Sequence, residues 1–230
     1  MAGGANRGAA NLNDLMVEQG IDSEILNLRA LSTWGARALA LGQRRTNHYL
    51  SQALRSRDFF NLFFPFPSPQ VAARHFDIIN LHWCAGHIAP SFFARYADKL
   101  VVTLRDEWMF TGGCHYAQSC VRFEEGCSSC PIVAPGARKM VSQSAELKRR
   151  AFAKLQRPII AIGESLARKA RKSFVMAERE VVAIPNYVPP LTSSGVNPDE
   201  NAHDYFLFVA THLDVPHKGA DLLESIEAPL

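Results

Sequence analysis

The stretch KLVVTLRDEWMFTGGCHY, residues 99–116, decides how this chain is read. Its first part is an apolar run rich in β-branched residues, which suits a strand buried on both faces of a parallel sheet. It ends abruptly in Arg105, Asp106 and Glu107. The runs FDIINLHW (76–83) and RPIIAIG (157–163) have the same character, and VVAIPN (181–186) is a further strand closed by proline. Helical segments fall between them, at about 90–97, 141–155 and 164–174. Strand alternating with helix predicts an α/β domain with a doubly wound parallel sheet.

Working outward, residues 5–19 read as a helix with Ala9, Leu12, Leu15 and Met16 on one face. SEILNLR (23–29) reads as a strand and 34–56 as a basic helix. The stretch YVPPLTSSGVNPDENAH (187–203) has linker composition. DYFLFVATHL (204–213) then reads as the strand of a new unit, with a helix from about Gly219. The expected organisation is an N-terminal domain over 1–186, a linker over 187–203 and the beginning of a second domain over 204–230. A glycine-rich loop needs a strand before it, and one strand with one helix cannot bury a core. The chain therefore reads as clipped at both ends.

The bulk numbers narrow the function classes. With 47% hydrophobic and 20% charged residues the composition is globular, and a net charge of +3 gives no footprint for nucleic acid. No run approaches the ~18 apolar residues of a membrane span, and the N-terminus lacks a signal core. A reducing, cytoplasmic setting is the expectation.

Several residues suggest chemistry. Gly3 and Gly4 open the first helix, where free N–H groups favour an anion; they read equally as a helix-entry turn. Cys114, Cys120, Cys127 and Cys130 are spaced C-x5-C-x6-C-x2-C. That pattern reads as a structural zinc site, as packed thiols or as disulfides, with His115 an alternative ligand. Cys84 reads as a core residue. Asp106 follows a strand at its carboxyl end, the end that lines the ligand crevice of an open parallel sheet. With Glu107, Trp108, Gly112 and Gly113 it forms an expected sugar-binding lip, beside His82, Trp83 and His115. Six arginines and no acidic residue lie between Glu24 and Asp58, followed by FFNLFFPFP (59–67). A basic helix beside phenylalanines suits peripheral contact with an anionic membrane through 29–67, or a solvated helix next to a core-packed loop. Lys218, at the turn into the last helix, suits a diphosphate.

Taken together, GGANRGA (3–9), DIINLHW (77–83), VVTLRDEWMFTGGCHY (101–116), GCSSCP (126–131), AIPN (183–186) and HKGADLL (217–223) resemble bacterial glycosyltransferases of family 4. The nearest subgroup is that of colanic-acid and other exopolysaccharide synthesis. The resemblance implies two Rossmann-like domains in the GT-B arrangement, the first holding the acceptor and the second a nucleotide-diphosphate sugar. It implies transfer with retention to a glycan or lipid-linked acceptor, at the inner face of the cytoplasmic membrane, with no cofactor or metal required for catalysis and no nucleic acid. The leaving diphosphate would be stabilised by backbone N–H groups and basic side chains. Gly3 and Gly4 match the phosphate loop and Lys218 the diphosphate lysine. Arg105, Asp106 and His115 would carry the cleft chemistry. The chain departs from the family where Leu-His-Asp becomes Leu104-Arg105-Asp106, since arginine accepts no proton at neutral pH. It departs again at His212, Ile162-Gly163 and Asn186-Tyr187-Val188-Pro189. Two alternatives to the enzyme are an inactive remnant or partner subunit that binds such an acceptor, and a zinc-organised interaction module.

Overall fold

The computed structural model describes residues 4–27, 41–42, 45, 60–63, 75–190, 208–209, 219–220 and 222. The chain divides into two compact units, Met1–Val188 and Pro189–Leu230. The first contains a sheet of four strands: β1 (Ile79–His82), β2 (Leu100–Leu104), β3 (Ile159–Ala161) and β4 (Val181–Ala183). All neighbouring pairs are parallel, with Ile79 opposite Leu100, Val102 opposite Ile159 and Ile159 opposite Val181. The protein is thus an α/β protein with an open, all-parallel sheet flanked by helices.

The strands lie in sequence order, β1-β2-β3-β4. Right-handed crossovers between strands that advance in one direction put their connections on one face. No reversal of order, the mark of a doubly wound sheet, falls among the described strands. The central strand β2 explains its own composition, because Leu100, Val102, Thr103 and Leu104 are all buried.

Four α-helices that lie wholly among the described residues accompany the sheet: α1 (Gly4–Glu18), α2 (Pro90–Arg95), α3 (Arg138–Phe152) and α4 (Glu164–Lys172). Pro90 sits in the first turn of α2, where its missing N–H costs nothing. In α3, Val141, Ser144, Ala145, Lys148 and Phe152 are buried, a spacing of three and four that turns one stripe toward the core. Ala167 and Ala170 of α4 are buried, and their small side chains let the helix lie close to β3 and β4. Glu164 begins that helix and Lys169, Arg171 and Lys172 end it, each sign at the favourable end of the dipole.

Two expectations fail. Residues 23–27, read as most of a strand, carry no regular structure, and Ile25 and Leu26 are exposed. Without a partner strand among the described residues, two apolar residues do not secure pairing. Phe208 and Val209, the described part of the strand expected over 204–213, lie outside any strand, whereas Ala220 and Leu222 are helical as expected. Most of the basic segment 34–56 lies outside the described residues. Of the phenylalanine run, Phe60, Leu62 and Phe63 are core residues, with the Phe63 ring edge-on to Phe93 and Trp108. These three are packed inward. Among the described residues, no helix is long and apolar enough to cross one.

Candidate functional site

Parallel strands bring their carboxyl ends to one edge of the sheet. His82 ends β1, Arg105 follows β2 and Asn186 follows β4. The structure brings these three together. Arg105 Nε donates to His82 Nδ1 at 3.1 Å, and Arg105 Nη2 lies 3.0 Å from the same nitrogen. Arg105 Nη1 donates to Asn186 Oδ1. Helix α1 closes the cluster at Gly8, its one buried residue. A β-carbon there would stand 3.1 Å from Arg105 Cζ and would overlap Nη1, so a larger residue would have to push the guanidinium out of this position. Asn11 of the same helix reaches the Tyr187 carbonyl.

Charge completes the picture. Burial, and secondarily the Arg105 charge, push the His82 imidazole down to about 4. It is neutral at pH 7 and presents Nδ1 as an acceptor to the arginine. Burial also lowers the Arg105 pKa, but a guanidinium stays charged. Among the described residues no carboxylate pairs with Arg105. Trp83, next to His82, is half-buried at φ 43°. A bulky residue in that region costs about 1–3 kcal/mol, an outlay concentrated at binding sites.

Asp106 turns the other way. Its Oδ1 accepts from the Trp108 backbone N–H at 2.9 Å and its Oδ2 from His115 Nδ1 at 2.6 Å. His115 Nε2 lies 3.1 Å from Asn61 Nδ2, an arrangement that suits the Nδ1–H tautomer. The His115 ring is 0% exposed and lies between Trp83 and Trp108, at 5.7 and 6.3 Å between centroids. Trp108 donates through its indole N–H to the Asn61 carbonyl at 2.6 Å and receives the Lys148 ammonium 3.9 Å from its ring centre. Lys148 is itself buried and donates to the Trp108 and Thr111 carbonyls. Desolvation pulls Lys148 down to about 7, against the upward pull of Cys127, Asp106, Cys114 and Cys84.

This network corrects the sequence reading. Trp108 is 2% exposed, so it is no sugar-stacking lip. Gly112 and Gly113 are glycines for packing. A β-carbon on Gly112 would stand 2.9 Å from the Val141 carbonyl, and one on Gly113 2.7 Å from the Phe60 ring. Glu107, also assigned to the lip, is buried against Lys169 and the Ala117 N–H. His115 and Asp106, expected in cleft chemistry, brace the loop instead. Of the expected cleft residues, His82, Trp83 and Arg105 remain together. Gly4 is exposed with open space around it. Gly3 and Lys218 lie outside the described residues. Gly8 and Asn186 carry the site and were missed as site residues, although both stand in quoted motifs.

Cys114, Cys120, Cys127 and Cys130 occupy the lobe between β2 and α3, which holds only short 3-10 turns at Trp108–Phe110, Arg122–Glu125 and Pro135–Ala137. All are free thiols, with Cys127 and Cys130 buried. Burial pushes Cys127 up to about 11, against a hydrogen bond from the Gly112 N–H to its sulfur at 3.2 Å. Burial likewise raises Cys114 and Cys130; the other three thiols raise Cys114 further, whereas backbone hydrogen bonds from Ile132 and Val133 pull Cys130 back down. Among the described residues no three ligating side chains are placed to hold a metal ion.

Fold and site together define an α/β protein with a basic, partly open cluster at the carboxyl edge of a parallel sheet. Comparison with family models, curated proteins and solved structures returns no match.

Proposed function

We propose that the chain is the acceptor-side half of a family-4-type glycosyltransferase of the GT-B arrangement, built on a Rossmann-like domain and acting in surface polysaccharide synthesis. The observation that carries this reading is the convergence of Arg105, His82 and Trp83 at the strand ends, where open parallel sheets bind ligands. The half-buried Trp83 offers an aromatic face to a sugar, and Arg105 offers a fixed positive charge to a diphosphate. Such preorganised charge stabilises a leaving group without reorganisation during transfer. The nucleotide-sugar donor, the glycan or lipid-linked acceptor and peripheral membrane contact through 29–67 belong to the same proposal. Structural zinc on Cys114, Cys120, Cys127 and Cys130 stands apart from that proposal, as the alternative to packed thiols. A zinc-to-protein ratio near unity under reducing conditions would assign the metal, and a ratio near zero would leave packed thiols.

The direct test presents the full natural polypeptide with a panel of nucleotide sugars. Turnover or saturable binding of at least one is expected; neither with any donor contradicts the reading. A partner that binds acceptor without transfer is the second reading, favoured by the pairing of Asp106 with the buried His115, which commits both groups to each other.

A further inference from the structure

We infer that Arg105 is the receptor for a phosphoryl group in the crevice, so that the first unit binds phosphate or diphosphate through its own residues. The inference rests on the crevice assigned above but needs no sugar transfer. A guanidinium has five N–H donors in a planar fork. In Arg105, Nε and one N–H of Nη2 face His82 Nδ1, and one N–H of Nη1 goes to Asn186 Oδ1. Among the described residues this leaves one N–H on each terminal nitrogen, which suits two oxygens of one phosphoryl group.

The surroundings fit a receptor better than a structural clamp. A clamp would neutralise a half-buried cation with a carboxylate, since an uncompensated charge is costly away from water. Here both partners are neutral: an imidazole held unprotonated by burial and by the arginine, and an amide. The adjacent carboxylate, Asp106, is committed to His115 and the Trp108 N–H on the other side of the chain. Gly8 gives the guanidinium room by having no side chain. The fork is oriented from two sides while its charge is left for a ligand. Lysine in its place would keep the charge and lose the fork.

The test titrates the full chain with sodium pyrophosphate, UDP and vesicles carrying a polyprenyl phosphate. Binding is read by calorimetry and by the side-chain NMR signal of Arg105, identified by its loss in R105K. Saturable binding that shifts the Arg105 signal is expected with at least one probe. A soluble diphosphate is the source if pyrophosphate and UDP bind, and a lipid-linked acceptor if only the vesicles do. R105Q should weaken binding by about tenfold or more, and R105K by less. No saturable binding to any probe, no shift of the Arg105 signal, or folded R105Q that binds like wild type overturns the inference. If R105Q does not fold, the wild-type signal decides. Nucleotide-sugar turnover that survives R105Q intact would sink this inference and spare the glycosyltransferase. Arg105-dependent pyrophosphate binding without turnover of any donor would do the reverse.

Discussion

Arg105 and Asp106 are neighbours in the chain and belong to two different parts of the molecule. Asp106 points into a buried brace with His115, Asn61, Trp108 and Lys148, in which each named polar group has a partner. Arg105 points to the open edge of the sheet, where its partners are neutral and its charge is not matched by a carboxylate among the described residues. One region spends its polar groups on itself, and the other keeps donors for something else. Residue type alone does not separate the two roles; burial and the completeness of the hydrogen bonding do.

The largest effect should come from breaking the brace. His115→Ala leaves a cavity between two tryptophans and strips Asp106 of a partner, at a cost of about 3–5 kcal/mol measured by denaturant unfolding. A loss below about 1 kcal/mol would show that the brace is not what holds the loop.

The second prediction concerns pH and the crevice. The folded-state pKa of His82 lies near 4, below its ordinary 6.5. Between these values the unfolded chain binds more protons, so stability is fully present above about pH 6.5 and falls as pH drops toward 4. The His82 contribution is on the order of 3 kcal/mol. His82→Gln should flatten that part of the stability profile; an unchanged slope would remove His82 as its source.

Gly8→Val sharpens the comparison from the helix side. The new side chain claims the space of Arg105 Nη1, so Arg105 must swing away. Pyrophosphate binding should weaken by about tenfold while stability falls by about 1–3 kcal/mol. Binding at wild-type strength would show that Arg105 need not be held in place. Gly4→Ala, in the same helix, meets open space and should change stability by less than about 1 kcal/mol.

Much of the fold was legible because buried strands announce themselves. KLVVTLRD, RPIIAIG and VVAIPN yielded β2, β3 and β4, and the helices between them fell within a few residues of their expected places. SEILNLR misled because alternation over a few residues resembles a strand whether or not a partner exists. The site was half legible. Strand ends pointed to His82, Trp83 and Arg105, since position along a parallel strand fixes the edge a residue reaches. Trp108, Gly112, Gly113 and His115 were misplaced because the loop folds back under the sheet edge. The contacts that bury them come from Phe60, Asn61, Val141 and Lys148, dozens of residues away. Gly8 was unreadable as a site residue because its role is to leave room for a side chain 97 positions later.

The division between brace and receptor is tested most directly by measuring two quantities on two variants, R105Q and H115Q: pyrophosphate affinity and unfolding free energy. Arg105→Gln should lose about tenfold or more in affinity and little stability. His115→Gln should lose at least about 2 kcal/mol of stability and bind normally while folded. The opposite pattern, with affinity following His115 and stability following Arg105, would contradict the account.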